Sequence, residues 1–209
     1  LQQAGRKVIL LDAKRIGSGQ TRNTTAKITS QHNLIYHKLI DRLGVAQAQQ
    51  YADANQDAIA DYRNLITEQN SDCDFETCNA YLSTTKEAEP LLEECKAARS
   101  LGIDADCIAQ TELPFPVVTA LRFPNQARFN PLKFILALSS ALEIYENTPV
   151  LKVQDNCLIT KQATVNAKSI IFACHYPFVN IPGYYFIRMH QERSYVVALK
   201  HAQRMKGMY

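Results

Sequence analysis

The sequence predicts an α/β fold in which a buried, parallel-type sheet is interrupted by a long insert of mixed helix and strand. Three observations predict it. Residues 8–11, Val-Ile-Leu-Leu, form a short apolar run that ends in an acid, Asp12. A loop over residues 13–31 follows, rich in Gly, Ser, Thr and Asn. A second apolar run, residues 169–174, lies far downstream. Continuous apolar strands suit a sheet covered on both faces, and their separation leaves room for an intervening region.

Residues 1–5 read as the last turn of a helix, with Gly5 in the C-terminal capping position. Residues 7–12 read as a buried strand. In a nucleotide-binding βαβ unit, an acid closing the second strand accepts hydrogen bonds from ribose hydroxyls, and the phosphate-binding glycines lie about 20 residues upstream. Only eleven residues precede Asp12, and the chain starts with Leu1. The sequence is therefore expected to be an internal piece of a longer protein. The loop 13–31 carries Gly17 and Gly19, and a loop of that length inside a domain usually has a function.

Two helices are expected next. One covers residues 33–43 and stops at Gly44. In the other, Val45, Ala48, Ala52, Ile59, Tyr62 and Ile66 recur at helical spacing. Residues 75–83 read as a strand. Residues 86–101 read as a helix with Pro90 near its start and Gly102 at its stop. Residues 113–124 contain Pro114, Pro116 and Pro124 and are expected to be extended chain crossing between domains. Asn130-Pro131 opens a helix over 132–142, followed by an extended segment at 143–145. Residues 150–153, 157–160 and 164–167 form a meander of short strands, and 169–174 a second buried strand.

Composition narrows the function. Against 23 basic residues stand 20 acidic ones, a formal charge of +3, with no basic stripe for nucleic acid. No apolar stretch reaches the roughly 20 residues that span a bilayer. The six cysteines show no CxxC pair and no metal spacing. They read as free thiols of a reducing cytosol, which gives a cytoplasmic location. His32, His37, His175, His190 and His201 lack metal-ligand spacing, so no metal is expected.

Three blocks carry a resemblance: VILLDAKRIGSGQTRNTTAKI (8–28), RFNPLKFILALSSALEIYENTPVLKV (128–153) and AKSIIFACHYPF (167–178). In that order they resemble the D-amino-acid-oxidase-like FAD-dependent oxidoreductases, most of all the glycine and sarcosine oxidase branch. The resemblance implies a Rossmann-like FAD-binding domain interrupted by an α+β substrate domain, incomplete at both ends. Residues 1–44 and 125–180 would bind FAD, and 45–124 and 181–209 would belong to the helical substrate domain. It implies that Asp12 holds the adenosine ribose and that Ala13 contributes backbone contacts. Gln20, Thr21, Thr24, Thr25, Ala26 and Lys27 would pass the pyrophosphate and reach the flavin. Val150 would pair with the adenine edge, and Ala173 would lie beneath the cofactor, although many relatives have Gly where this chain has Cys174-His175. Residues 189–199, MHQERSYVVAL, resemble an arginine-containing strand entering the substrate domain, and its Arg193 suits either a substrate carboxylate or a structural salt bridge. Lys27 would either stabilise the negative charge of a reduced flavin ring or stand as a solvated lysine. Some relatives with such a loop also carry a C-terminal Rieske iron–sulfur domain.

The implied activity is oxidation of a small amine or amino acid by hydride transfer to flavin, with no catalytic side chain assigned. Two rivals stand beside it. A NAD-dependent dehydrogenase shares the βαβ start, but the Thr-rich loop and the meander argue against it. A non-catalytic truncated fragment is the other, and the chain alone is expected to be inactive and colourless without upstream phosphate-binding amides.

Overall fold

The computed structural model describes residues 1–174, 176, 178–179 and 183–209. They form two compact units, one of residues 1–23 and 138–200 and one of residues 24–137 and 201–209. The expected partition set its boundaries at 44 and 125. The units change at 23 and 137 because the chain after Asn23 and the chain before Leu138 join the insert's own sheet and core.

In the first unit, strand β1 (Ile9–Leu11) pairs in parallel with β6 (Glu143–Tyr145), with Leu10 opposite Ile144. Parallel neighbours need a crossover connection, and here residues 24–137 of the second unit lie between them in sequence. The turn before β1 is a Schellman cap. The Arg6 amide donates to the Leu1 carbonyl (3.1 Å), the Gly5 amide to that of Gln2 (2.8 Å), and Gly5 has φ +73°. Strands β7 (Lys152–Gln154), β8 (Cys157–Ile159) and β9 (Thr164–Asn166) make the antiparallel meander. A one-turn helix, α5, spans Tyr185–Arg188.

Two buried-strand expectations are corrected here. Leu10 is 39% exposed, so β1 is not covered on both faces. Residues 169–174 form no strand, with Ile171 70% and Phe172 41% exposed. A parallel strand exists only beside a neighbour that takes up its amides and carbonyls, and among the described residues β6 is the only partner of β1 and residues 169–174 have none. The same reason applies to residues 189–199, which are exposed and form no strand.

In the second unit, helices α1 (Tyr36–Leu43), α2 (Val45–Glu68) and α3 (Glu89–Ser100) pack on a sheet. Its strands are β2 (Lys27–Ile28), β3 (Glu76–Thr84), β4 (Asp106–Ile108) and β5 (Thr119–Arg128). β5 is the centre and pairs antiparallel with β2, β3 and β4. Residues 119–124, expected to cross between domains, are thus part of the central strand. The strand tolerates Pro124 because the ladder with β3 breaks between Cys78 and Ala80, where Asn125 takes φ +58°. Proline in a sheet is confined to such bulges.

The core joins Tyr36, Ala48, Ala52, Leu91, Cys95, Ala98, Leu121 and Phe123. Tyr36 and Phe123 are fully buried and stack with ring centres 6.3 Å apart. Of the helical stripe in α2, Ala48, Ala52 and Ile59 are buried, while Val45 at the helix start is 58% exposed. Helix α4 (Pro131–Ser139) opens as the Asn-Pro pair dictates, the Lys133 amide donating to Asn130 Oδ1 at 3.2 Å. It ends at Ser139, short of the expected 142. The chain end returns to β3: Tyr81 donates to the Met208 carbonyl (2.7 Å) and Met208 to that of Asn79 (2.8 Å). No helix among the described residues is long and apolar enough to cross a membrane.

Candidate functional site

The parallel pair positions the first group of residues. Asp12 follows β1, and its amide donates to the Tyr145 carbonyl at 3.0 Å. Its own carbonyl accepts from the Thr148 amide at 2.8 Å, and the Lys14 carbonyl accepts from Asn147 at 3.0 Å. These bonds fasten the chain after β1 to the chain after β6, and Val150 lies two residues past Thr148. Asp12 and the approach to Val150, distant in sequence, are thus joined by backbone hydrogen bonds.

Asp12 is half-buried, and one of its oxygens accepts the Lys14 amide at 2.8 Å. Its second oxygen takes no hydrogen bond among the described residues, and neither do the Val150 amide and carbonyl. A carboxylate oxygen and an extended backbone segment with open donor and acceptor are what a ribose diol and a base edge require. Ala13 is exposed beside Asp12. The loop behind it is braced by Glu146, which accepts the Ile16 amide at 2.8 Å and lies 3.8 Å from Arg15. Gln20 and Thr21 lie in a 3-10 turn, Gln20–Arg22, closed by the Asn23 amide on the Gln20 carbonyl. Ala173 is exposed, Cys174 likewise, and His175 lies outside the described residues.

Thr24, Thr25, Ala26 and Lys27 belong to the second unit. A cleft of about 350 Å³ there is lined by Thr24, Ala26 and Lys27, and by Asn55, Tyr62 and Phe129 across from them. Tyr62 and Phe129 meet edge to face at 5.7 Å. A larger recess, about 570 Å³ and lined by Lys38, Ser83, Lys86 and Glu87 among others, contains no residue of the expected site. Lys27 donates to the Tyr209 carbonyl at 3.1 Å, and partial burial pulls its ammonium below the usual lysine range. The Thr24 hydroxyl accepts the Ala26 amide at 3.2 Å.

Ala26 holds φ +57°. A left-handed alanine costs about 1 kcal/mol, and such strain collects where backbone must approach a ligand. Ala26→Gly is expected to raise stability by about 0.5 to 1 kcal/mol. Urea denaturation checks this, and an unchanged or lower midpoint would mean that the left-handed turn carries no strain.

Histidines contribute little to this geometry. His32 lies 3.1 Å from the Tyr51 hydroxyl, His37 3.3 Å from Asp41, and His190 3.2 Å from Glu192 on an exposed stretch. Arg193 is exposed in the first unit. All six cysteines are free, and burial beside Cys95 pushes the Cys107 thiol up to about 11.

Sequence reasoning missed Glu94. It is fully buried on α3, and its carboxylate accepts the amides of Ile35 (2.8 Å), Tyr36 (2.8 Å) and His37 (3.0 Å) at the start of α1. A signal existed: Glu94 falls on the apolar stripe of Leu91, Cys95 and Ala98, where an acid is out of place.

The family described as DAO, FAD dependent oxidoreductase, matches residues 1–208. The chain belongs to the DAO family of FAD-dependent oxidoreductases.

Within that family, a Bacillus subtilis (strain 168) protein, YhfW, described as a candidate Rieske 2Fe-2S iron-sulfur protein, is 34% identical over 221 residues. The match covers 100% of this chain and 43% of YhfW. Glycine oxidase from Geobacillus kaustophilus superposes with a TM-score of 0.60 at 18% identity, over 78% of this chain and 47% of the enzyme. L-Amino acid deaminase from Proteus myxofaciens, solved with anthranilate, gives 0.59 at 14% identity, over 78% and 39%. The chain therefore spans less than half the length of these relatives, and the structural likeness is one of fold.

Proposed function

We propose that the protein containing this chain binds FAD and oxidises a small amine or amino acid. The observation that carries the reading is the joining of Asp12 to the segment before Val150, with one Asp12 carboxylate oxygen and the Val150 amide and carbonyl taking no hydrogen bond among the described residues.

Asp12 accepts the ribose hydroxyls, which two-oxygen acceptors hold well. The Val150 amide and carbonyl pair with the adenine edge, and Ala13 adds backbone contact. Gln20 and Thr21, in their 3-10 turn, and the hydroxyls of Thr24 and Thr25 offer neutral donors along the pyrophosphate and toward the ring. Neutral donors suit a phosphate chain that a run of lysines would over-neutralise. Ala26 has a small side chain and a left-handed backbone, so its peptide approaches a flat ring closely. Ala173 lies on the same unit as Asp12 and completes the expected set. Bound there, FAD supplies a two-electron acceptor for a carbon-bound hydrogen of the substrate.

The names of the fold neighbours, a glycine oxidase and an L-amino acid deaminase, support an amino-acid substrate. The name of YhfW supports an iron–sulfur domain as electron partner. Six free thiols fit a reducing compartment such as the cytoplasm. The test is anaerobic mixing of the FAD-loaded full-length protein with a panel of amino acids and amines. Bleaching of the flavin band by a member of the panel is the expected result. A protein that takes up NADH and no flavin would overturn the reading.

A further inference from the structure

The recess of about 570 Å³ on the second unit takes no part in the cofactor reading. The start of α1 supplies Leu34 and Lys38 to its walls, the end of β3 supplies Leu82, and the chain into α3 supplies Lys86, Pro90 and Leu91. Strand β3 runs nine residues, from Glu76 to Thr84. Glu76 lies opposite Arg128, which lies opposite Lys27. The recess is therefore at the far end of the strand from the Thr24 to Lys27 loop, about 25 Å away at roughly 3.3 Å per residue.

Its floor is apolar and rooted in the core. Leu91 is 5% exposed and belongs to the main core cluster, against which Leu34 packs. Leu82 lies opposite the fully buried Leu121 in the ladder, so both point to the helix-covered face of the sheet. The walls are also fixed in place. Glu94 takes the Ile35, Tyr36 and His37 amides, which ties the start of α1 to α3. The Thr84 hydroxyl accepts the Lys86 amide at 3.1 Å, and the Thr84 carbonyl accepts that of Val118 at 2.8 Å, which holds the turn carrying Lys86.

Two lysines line this recess against one acid, Glu87. Neither the Lys38 nor the Lys86 side chain makes a hydrogen bond or ion pair among the described residues. Arg122, Arg128 and Lys133 of the same unit each hold a carboxylate. Apolar walls with a few charged groups, in a volume within the usual range for ligands, are the plan of a small-molecule site. A doubly charged head uses both ammonium groups, where a single carboxylate would leave one idle, and lysine binds phosphate as a point charge.

We propose that this recess is a ligand site separate from that of the cofactor and its substrate, and that it takes a small organic phosphate. Lys38 and Lys86 hold the phosphate, and Leu34, Leu82 and Leu91 take the apolar body.

Phenyl phosphate, inorganic phosphate and phenol are titrated calorimetrically into the full-length protein, with FAD in excess so that any pyrophosphate site is filled. Phenyl phosphate is expected to bind at least about 10-fold more tightly than either other probe, since it alone uses both the charges and the floor. Raising the salt should shrink its advantage over phenol. Lys38→Met combined with Lys86→Met, which keeps the apolar stems, should bring phenyl phosphate down to the level of phenol. Native protein that binds phenyl phosphate no better than phenol, or no better than inorganic phosphate, overturns the proposal whether or not the double variant folds. So does a folded double variant that keeps the native affinity, because the ligand is then held somewhere else.

Discussion

Glu94→Ala is expected to lower the stability of the chain by about 3 to 5 kcal/mol, the cost of stripping a buried charged partner from the groups it satisfies. Helix α1 starts at Tyr36 after Ile35, a residue with no side-chain acceptor to offer. The first amides of any helix lack intrahelical partners, and here Glu94 takes three of them from a neighbouring helix. Alanine would leave those amides dry and a void among Tyr36, Leu91 and Ala98. Water cannot easily rescue the Tyr36 amide, since Tyr36 and Ala98 are fully buried, whereas Ile35 and His37 are half-buried. Glu94→Gln keeps one acceptor oxygen and should lose less than half as much. Urea denaturation followed by circular dichroism measures both, and a Glu94→Ala midpoint equal to the native one would show that α1 is capped in some other way.

Asp12→Ala is expected to weaken FAD binding by the full-length protein by about 10- to 100-fold, while leaving its folding midpoint nearly unchanged. The binding loss follows from removing charge-assisted bonds to a ribose diol, about 1.5 to 3 kcal/mol. The small folding effect follows from Asp12's own bonds. Its side chain accepts only the exposed Lys14 amide, whereas the bonds that join β1 to β6 run through its backbone and survive the substitution. Asp12→Asn should fall between the two. Flavin fluorescence titration reads the affinity. An Asp12→Ala protein with native affinity would remove the ribose role from this residue, and one that unfolds would make Asp12 structural.

Local features of the chain were legible from sequence because their causes are local. Gly5 closes a turn and Gly44 ends helix α1 with positive φ because glycine takes that conformation without strain. Asn130 caps α4 because its side chain reaches an amide three residues on. The meander of residues 152–166 follows from alternation and polar turns. The acid after the apolar run, Asp12, was legible for the same reason, as was the Thr-rich loop. Less visible were contacts between distant segments. Residues 119–124 became the middle of a sheet because β2, β3 and β4 all found β5, and a bulge at Asn125 excused Pro124.

What the sequence by itself determined is the set of short elements, their stops and the chemical character of Asp12 and of the Thr-rich loop, since each depends on residues a few positions apart. Only the tertiary structure decided which segments meet. It joined Asp12 to the approach to Val150 and sent Glu94 across to α1. Among the described residues it also denied residues 169–174 the neighbour that a strand requires. Pairing between remote segments is settled by the burial and hydrogen bonding of the whole chain, and no local pattern of residues encodes it.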